Sequence, residues 1–232
     1  MPTPPPKLED DTASIVLIGS FNPAIFQPAW FAAKELIREA EATAATVDMI
    51  HPEVTSFRVG WLVLNVTRER FVAMSSDAAQ HVALRDLVLG TFHILEHTPT
   101  SRVGMNRSMH FSLHDEQKWH RLGNMLAPKE PWADIAIKPG LLSLVMQSNR
   151  DDEVPGRTVF RVEPSIKHRF GAYIDVNNEF VAKRDADKIF APSSEPRSDT
   201  TPELMDLVRV QWDRTIQRSL ERAQKLLERI PE

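Results

Sequence analysis

The pentapeptide His93-Ile94-Leu95-Glu96-His97 holds the residue types that zinc-dependent hydrolysis requires. On an α-helix, His93 and His97 would lie about one turn apart and could bind one zinc ion. Glu96 between them could activate a water molecule as a general base. A zinc hydrolase is therefore one hypothesis for this chain.

The pentapeptide matches the H-x-x-E-H signature of inverted zincins, and its context, GTFHILEHTP, resembles the glycine-led helix of pitrilysin-type metallopeptidases. Helical geometry speaks against the match. Leu84 lies on the apolar face of a predicted helix over 77–97, and at about 100° per residue His93 lies about 180° and His97 about 220° from it. Both histidines are expected to point toward solvent or a partner rather than into a zinc-binding cleft.

A second group of histidines, His110, His114 and His120, lies where a predicted strand over 101–113 meets a predicted helix over 115–127. Three imidazoles could build a metal site. Exposed histidines at a strand-to-helix corner are the interpretation we favour, so we predict no metal and no cofactor here.

Asn106 and Arg107 interrupt the otherwise apolar strand over 101–113. Buried polar side chains need hydrogen-bond partners, so these two residues either face a polar groove or mark a strand with one wet face. We favour the wet face, which is common in antiparallel sheets.

Composition excludes several classes of chemistry. The 232-residue chain has no cysteine, which excludes disulfides, thiolate metal sites and thiol nucleophiles. It contains neither the glycine-rich loops of nucleotide-binding proteins nor a G-x-S-x-G nucleophile motif. The net charge of −4 is not that of a general nucleic-acid binder, and no apolar run approaches the roughly 20 residues that span a bilayer. We expect a cytoplasmic protein without membrane contact.

Hydrophobic periodicity predicts an α+β fold. The first four predicted strands and two helices follow a β-α-β-β-α-β order, which is that of a ferredoxin-like unit. The predicted strands of this unit cover residues 14–19, 57–66, 69–74 and 101–113, and its helices cover 28–43 and 77–97. The helix over 115–127 and an antiparallel extension follow, with strands over 141–147, 158–163 and 172–176. The extension either continues the first sheet or forms a second one.

The same pattern divides the chain into a tail, a domain, a linker and a long C-terminal helix. The predicted segments are a disordered tail over 1–12, an α+β domain over 13–182, a linker over 183–200 and an amphipathic helix over 201–232. Within the domain, the ferredoxin-like unit covers 13–113, and a helix with a β-meander covers 114–182.

The C-terminal helix is predicted to start at Thr200 or Thr201, with Pro202 in its first turn. Its apolar residues recur three or four positions apart and form a seam of roughly four heptads. The seam is Leu204, Val208, Trp212, Ile216, Leu220, Ala223, Leu227 and Ile230. The pattern leaves open whether this seam packs on its own domain or on another chain.

Three stretches, LGTFHILEHTPTSRVGMNRSMHF, LAPKEPW and VFRVEPS…GAYIDVNNEF, together carry a resemblance. They resemble a sporadically distributed family of uncharacterised bacterial proteins with a TP-x-x-x-x-G-x-N helix-to-strand junction, represented here by Thr98, Pro99, Gly104 and Asn106. The resemblance covers about residues 13–182 and implies no activity. It implies that the HILEH string belongs to a pattern outside the peptidases.

These observations predict a non-enzymatic protein-interaction or assembly subunit of a bacterial complex, oligomeric and binding a protein partner or itself. The candidate interaction surface consists of His93, His97, Asn106, Arg107, His110, Trp212, Ile216 and Leu220. Two alternatives stay open. One is the zinc hydrolase, and the other is a nucleic-acid- or nucleotide-sensing module that uses the open face of the sheet. The residues of that second alternative would be Phe57, Trp61, Arg102, Arg107 and His110.

Overall fold

A nine-stranded antiparallel sheet forms the centre of the part of the protein that the structure describes. The computed structural model describes residues 4–190 and 195–231. The strands are β1 Lys7–Gly19, β2 Thr46–His51, β3 Val54–Val59, β4 Leu62–Thr67, β5 Arg70–Ser75, β6 Thr100–Ser112, β7 Leu144–Asn149, β8 Gly156–Pro164 and β9 Gly171–Val181. Their order across the sheet is β2-β3-β4-β5-β1-β6-β9-β8-β7, so β2 and β7 are its two edges.

The described residues form five α-helices, of which α3 and α5 pack on the central strands of one face of the sheet. The helices are α1 Pro28–Ala33, α2 Glu39–Thr43, α3 His81–Ile94, α4 Glu116–Leu126 and α5 Thr201–Glu228. The longest, α5, packs on β6, β9 and α3, and its apolar seam joins two hydrophobic clusters of the sheet. The sequence left the partner of this seam open, and the structure places it on the chain's own sheet.

The mixed α and β composition and the long C-terminal helix are confirmed, but the ferredoxin-like unit is not. The strand predicted over 57–66 is instead a hairpin of β3 and β4, which turns at Gly60 with a φ of +41°. The helix predicted over 28–43 is interrupted at Glu35, whose φ is +57°. The sheet is also larger than predicted, because β2 was not predicted and the segment over 57–66 supplies two strands. Strands β7, β8 and β9 continue the first sheet, which is one of the two arrangements that the sequence left open.

The first strand begins well before the predicted one. Residues 7–12, predicted as part of a disordered tail, form the first half of β1 and pair with β6. Backbone pairing with a long neighbouring strand thus outweighs the polar local sequence. Residues 1–3 of the predicted tail lie outside the described residues.

The predicted linker over 183–200 contains regular structure where it is described. Lys183–Lys188 forms 3₁₀-helical turns with a kink at Asp185, and Arg197 bridges to Thr100 at the start of β6. Residues 191–194 of this linker lie outside the described residues.

The junction between α3 and β6 is fastened to the start of α5. The Thr201 hydroxyl donates to the Thr98 carbonyl at 2.5 Å and lies 2.7 Å from the Thr100 hydroxyl. The Thr200 hydroxyl donates to the Thr100 carbonyl. The Thr98-Pro99 break therefore fixes where the long helix begins its path across the sheet.

Candidate functional site

The HILEH string does not form a zinc-binding helix. Helix α3 ends at Ile94, so Glu96 and His97 lie beyond it. His93 is exposed, and the His97 side chain is 92% exposed, with its Nε2 3.7 Å from a Glu96 carboxylate oxygen. Because the helix ends early, the two histidines are not held one turn apart on a common face.

The second group of histidines does not converge either. His110 is buried on the sheet, His114 follows the end of β6 with a φ of +64°, and His120 is exposed on α4. Within residues 4–190 and 195–231, no group of three or more histidine, aspartate or glutamate side chains is placed to hold a metal ion.

The predicted interaction residues on α5 are inside the molecule. Trp212 is 1% exposed and Ile216 is 6% exposed, and both belong to the hydrophobic core beneath the helix. Leu220 is half-buried against the neighbouring cluster. Their prediction as a partner-binding surface is wrong for this fold, because the seam that they form is covered by the sheet.

Arg107 is also buried, and its partners explain how a guanidinium is tolerated there. Its Nε lies 2.8 Å and its Nη2 2.5 Å from the two carboxylate oxygens of Asp11 on β1. Its Nη1 donates to the carbonyl of Ile216 on α5 at 2.9 Å. Arg107 therefore ties β1, β6 and α5 together and is not available to a partner.

The opposite face of the sheet carries a ladder of polar side chains, and we call this side the polar face. Neighbouring residues of β6 and β9 meet there in cross-strand pairs, because alternate side chains of a strand point to opposite faces. The pairs are Gly104–Glu179, Asn106–Asn177, Ser108–Asp175 and His110–Tyr173. Two members of the predicted interaction surface, Asn106 and His110, lie on this face.

The asparagine pair sits in space that a glycine leaves open. A Cβ at Gly104 would lie 3.2 Å from Asn106 Oδ1 and 3.6 Å from Asn177 Oδ1. Both of these oxygens are buried, and neither has a hydrogen-bond partner among the described residues. The Gly104-x-Asn106 spacing thus places an amide in the middle of the polar face.

His110 belongs to a polar cluster at the end of this ladder. The Ser165 Oγ accepts backbone N–H groups from Lys167 and His168, so its proton is free to donate to His110 Nδ1 at 2.8 Å. Burial lowers the pKa of His110, which keeps the imidazole neutral near pH 7. A neutral ring with Nδ1 as acceptor agrees with this hydrogen bond.

The carboxylate of the cluster, that of Asp10, contacts His168 rather than His110. Asp10 Oδ2 lies 2.5 Å from His168 Nε2, and Asp10 Oδ1 accepts from Lys167 at 2.9 Å. These hydrogen bonds, that of His168 first, lower the pKa of Asp10 to about 2. In a hydrolytic triad, the carboxylate is hydrogen-bonded to the histidine that activates the serine. Here Asp10 is hydrogen-bonded to His168 instead, so the Ser165–His110 pair lacks that third member. The cluster joins β1 to the β8–β9 connection.

A second carboxylate on the polar face belongs to Asp175, which lies opposite Arg161 of β8. Asp175 accepts from the Ser108 hydroxyl at 2.6 Å, and burial raises its pKa. Burial also raises the pKa of the neighbouring Tyr173 phenol. Sequence reasoning missed these residues, because their convergence depends on the pairing of β6 with β9.

The residues expected to form a nucleic-acid platform are dispersed. Phe57 is fully buried in the helix-side core, while Arg102 is buried and paired with Glu179. Trp61 is half-buried and donates to Glu41 at 3.2 Å. A base-stacking surface needs exposed aromatic faces side by side, and these residues do not provide one.

The two edge strands carry exposed apolar side chains. On β2 these are Val47, Met49 and Ile50, and on β7 they are Val145 and Met146. The pairing of β2 with β3 is broken by an irregularity between Val47 and Met49, whereas β7 pairs with β8 in unbroken register. An edge strand presents unpaired backbone N–H and C=O groups on its outer side, so β7 offers an uninterrupted template for another strand.

Comparison with known proteins adds no family assignment. No protein-family model and no curated protein matches the chain. None of the helices in the described part of the chain is both long enough and apolar enough to cross a membrane.

Proposed function

We propose that the protein is a non-enzymatic assembly subunit that joins a second copy of itself through the β7 edge of its sheet. The observation that carries the proposal is the sequence of that strand, LVMQSN, which contains no charged residue and no proline and is exposed from Val145 to Asn149. Monomeric proteins usually block such edges with lysine, proline or a bulge. A twofold partner strand would satisfy the unpaired backbone groups of β7.

One antiparallel register suits this pairing. Side chains that face each other across antiparallel strands lie on the same face of the sheet, so the twofold axis must lie midway between the two copies of one β7 residue. With the axis at Val145, the valines of the two copies face each other and Leu144 faces Met146 of the other copy. Apolar and β-branched cross-strand pairs stabilise a sheet by about 0.2–1 kcal/mol each.

The proposed contact is a small one. Six-residue strands give few backbone hydrogen bonds, each with a net contribution of about 0.5–1.5 kcal/mol, and association costs at least about 4 kcal/mol. The dimer is therefore expected to be weak and concentration-dependent. We place it in the cytoplasm of a bacterial cell, in keeping with a chain that has no cysteine.

The test is sedimentation velocity on the full chain, from micromolar to millimolar concentration. The wild type is expected to shift from monomer to dimer. Val145→Lys would place two lysines opposite each other, so this variant should stay monomeric, as should Val145→Glu. An equimolar mixture of the two variants should dimerise, because the facing charges are then opposite.

Val82→Lys is the matched control. Val82 is 51% exposed on α3, against 56% for Val145 on β7, and this variant should dimerise like the wild type. A wild-type chain that is monomeric throughout, or a Val145→Lys variant that dimerises as well as the wild type, would overturn the proposal.

A further inference from the structure

A groove of about 430 Å³ lies on the helix side of the sheet, between β7, β8 and the last turns of α5. Its floor is buried and apolar, and consists of Val162, Ile174 and Ala223. The walls include Met146 of β7 and Leu226 of α5, together with further apolar residues. The groove exists because α5 packs on β6 and β9 and leaves the helix side of the edge strand uncovered.

The rim of the groove is cationic on the side of α5. Arg222, Lys225 and Arg229 all line it, and they lie three and four positions apart on one side of the helix. Arg222 is paired with Asp151 at 2.9 Å. Lys225 and Arg229 are exposed and form no ion pair with any residue of the described ranges. Within the described residues, two cations without an ion-pair partner therefore lie beside the apolar groove.

We propose that this groove binds a fatty carboxylate, a single alkyl chain that ends in one carboxylate group. The volume is that of a small-molecule pocket, and its apolar floor suits methylene groups. The carboxylate would lie at the rim, where Lys225 and Arg229 can donate charge-assisted hydrogen bonds. Among the described residues that line the groove, the acidic one is Asp151, which already pairs with Arg222 and, at 3.2 Å, with Arg218, so it does not repel the ligand strongly.

The first experiment measures how much the alkyl chain of the ligand contributes to binding. Isothermal titration calorimetry of the full chain with octanoate, decanoate and dodecanoate, each below its micelle-forming concentration, should give one site per chain. Each additional buried methylene is expected to tighten binding by up to about fourfold. Dodecanol, which has the same chain without the charge, should bind at least about tenfold more weakly than dodecanoate.

The second arm measures the cationic rim. The double variant Lys225→Gln/Arg229→Gln should weaken dodecanoate binding by at least about tenfold and leave dodecanol binding unchanged. Arg209→Gln, an exposed arginine earlier on the same helix that pairs with Asp206, is the matched control and should bind like the wild type. Because all these positions are exposed, circular dichroism of the variants should match that of the wild type.

Two results would overturn the inference. One is the absence of dodecanoate binding to the wild type at millimolar ligand. The other is binding that the double variant leaves unchanged, which would place the ligand elsewhere. The Val145→Lys variant should bind dodecanoate normally, because Val145 faces Arg161 on the polar side of the sheet. Binding in that variant separates this inference from the proposed dimer.

Discussion

Replacing Arg107 with methionine should destabilise the protein far more than the loss of an ordinary ion pair. The Arg107 and Asp11 side chains are only 8% and 13% exposed, so water cannot replace the lost partner. The variant removes two hydrogen bonds to Asp11 and one to the Ile216 carbonyl and leaves the Asp11 carboxylate buried without its guanidinium partner. Breaking a buried pair in this way costs about 3–5 kcal/mol.

The measurement is the free energy of unfolding from urea titration followed by circular dichroism. Arg58→Met is the control, because Arg58 and Asp48 form a pair of which the side chains are 56% and 42% exposed. That variant should lose less than about 1 kcal/mol. Raising the salt concentration should weaken the contribution of the exposed pair and leave that of the buried pair nearly unchanged.

The double variant Asp11→Leu/Arg107→Met tests whether the loss of stability in Arg107→Met comes from the unpaired buried charge or from lost packing. Replacing both members of a buried pair with apolar residues is often neutral, so the double variant should recover most of the stability that Arg107→Met loses. The reasoning is refuted if Arg107→Met costs less than about 1 kcal/mol, or if the double variant loses the sum of the two single losses.

Two further predictions concern the helix seam and the buried histidines. Trp212→Ala should lower the free energy of unfolding by about 3–5 kcal/mol at every protein concentration, because Trp212 packs on its own sheet; a loss that depends on concentration would indicate packing between chains. The free energy of unfolding should fall as the pH is lowered from about 7 to about 5. Burial holds the pKa values of His81 and His110 below 6.5, so the unfolded chain binds more protons than the folded one in this range. His110→Gln should lessen that fall in urea titrations at the two pH values, although the raised pKa of Asp175 acts in the opposite direction in every variant; an unchanged fall would contradict the role of His110.

Local sequence predicted the elements whose pattern is periodic. The helix predicted over 115–127 is α4, and Asp115 caps it by accepting from the backbone N–H groups of Gln117 and Lys118. The three strands of the predicted extension are β7, β8 and β9; β8 and β9 are longer than predicted, and β7 begins and ends later than predicted. These elements were predictable because capping and alternation act between near neighbours in the chain.

The candidate sites were less predictable, because each depends on contacts between distant residues. The sequence indicated that Arg107 needs a partner, yet Asp11 lay within the predicted tail. The groove beside β7 depends on where α5 stops covering the sheet, and the polar ladder depends on the register of β6 with β9. Hydrophobic periodicity indicates that one face of a helix or strand is buried, but it does not indicate which element covers that face.

By itself, the sequence excluded cysteine chemistry and determined the amphipathic character of the last helix and the positions of most strands. Only the tertiary structure decided that this helix packs on its own sheet, that α3 ends before Glu96 and His97, and that β7 is left as an open edge. The physical reason is that helix and strand periodicities arise from spacings of a few residues, whereas strand order and helix coverage arise from contacts across the whole chain.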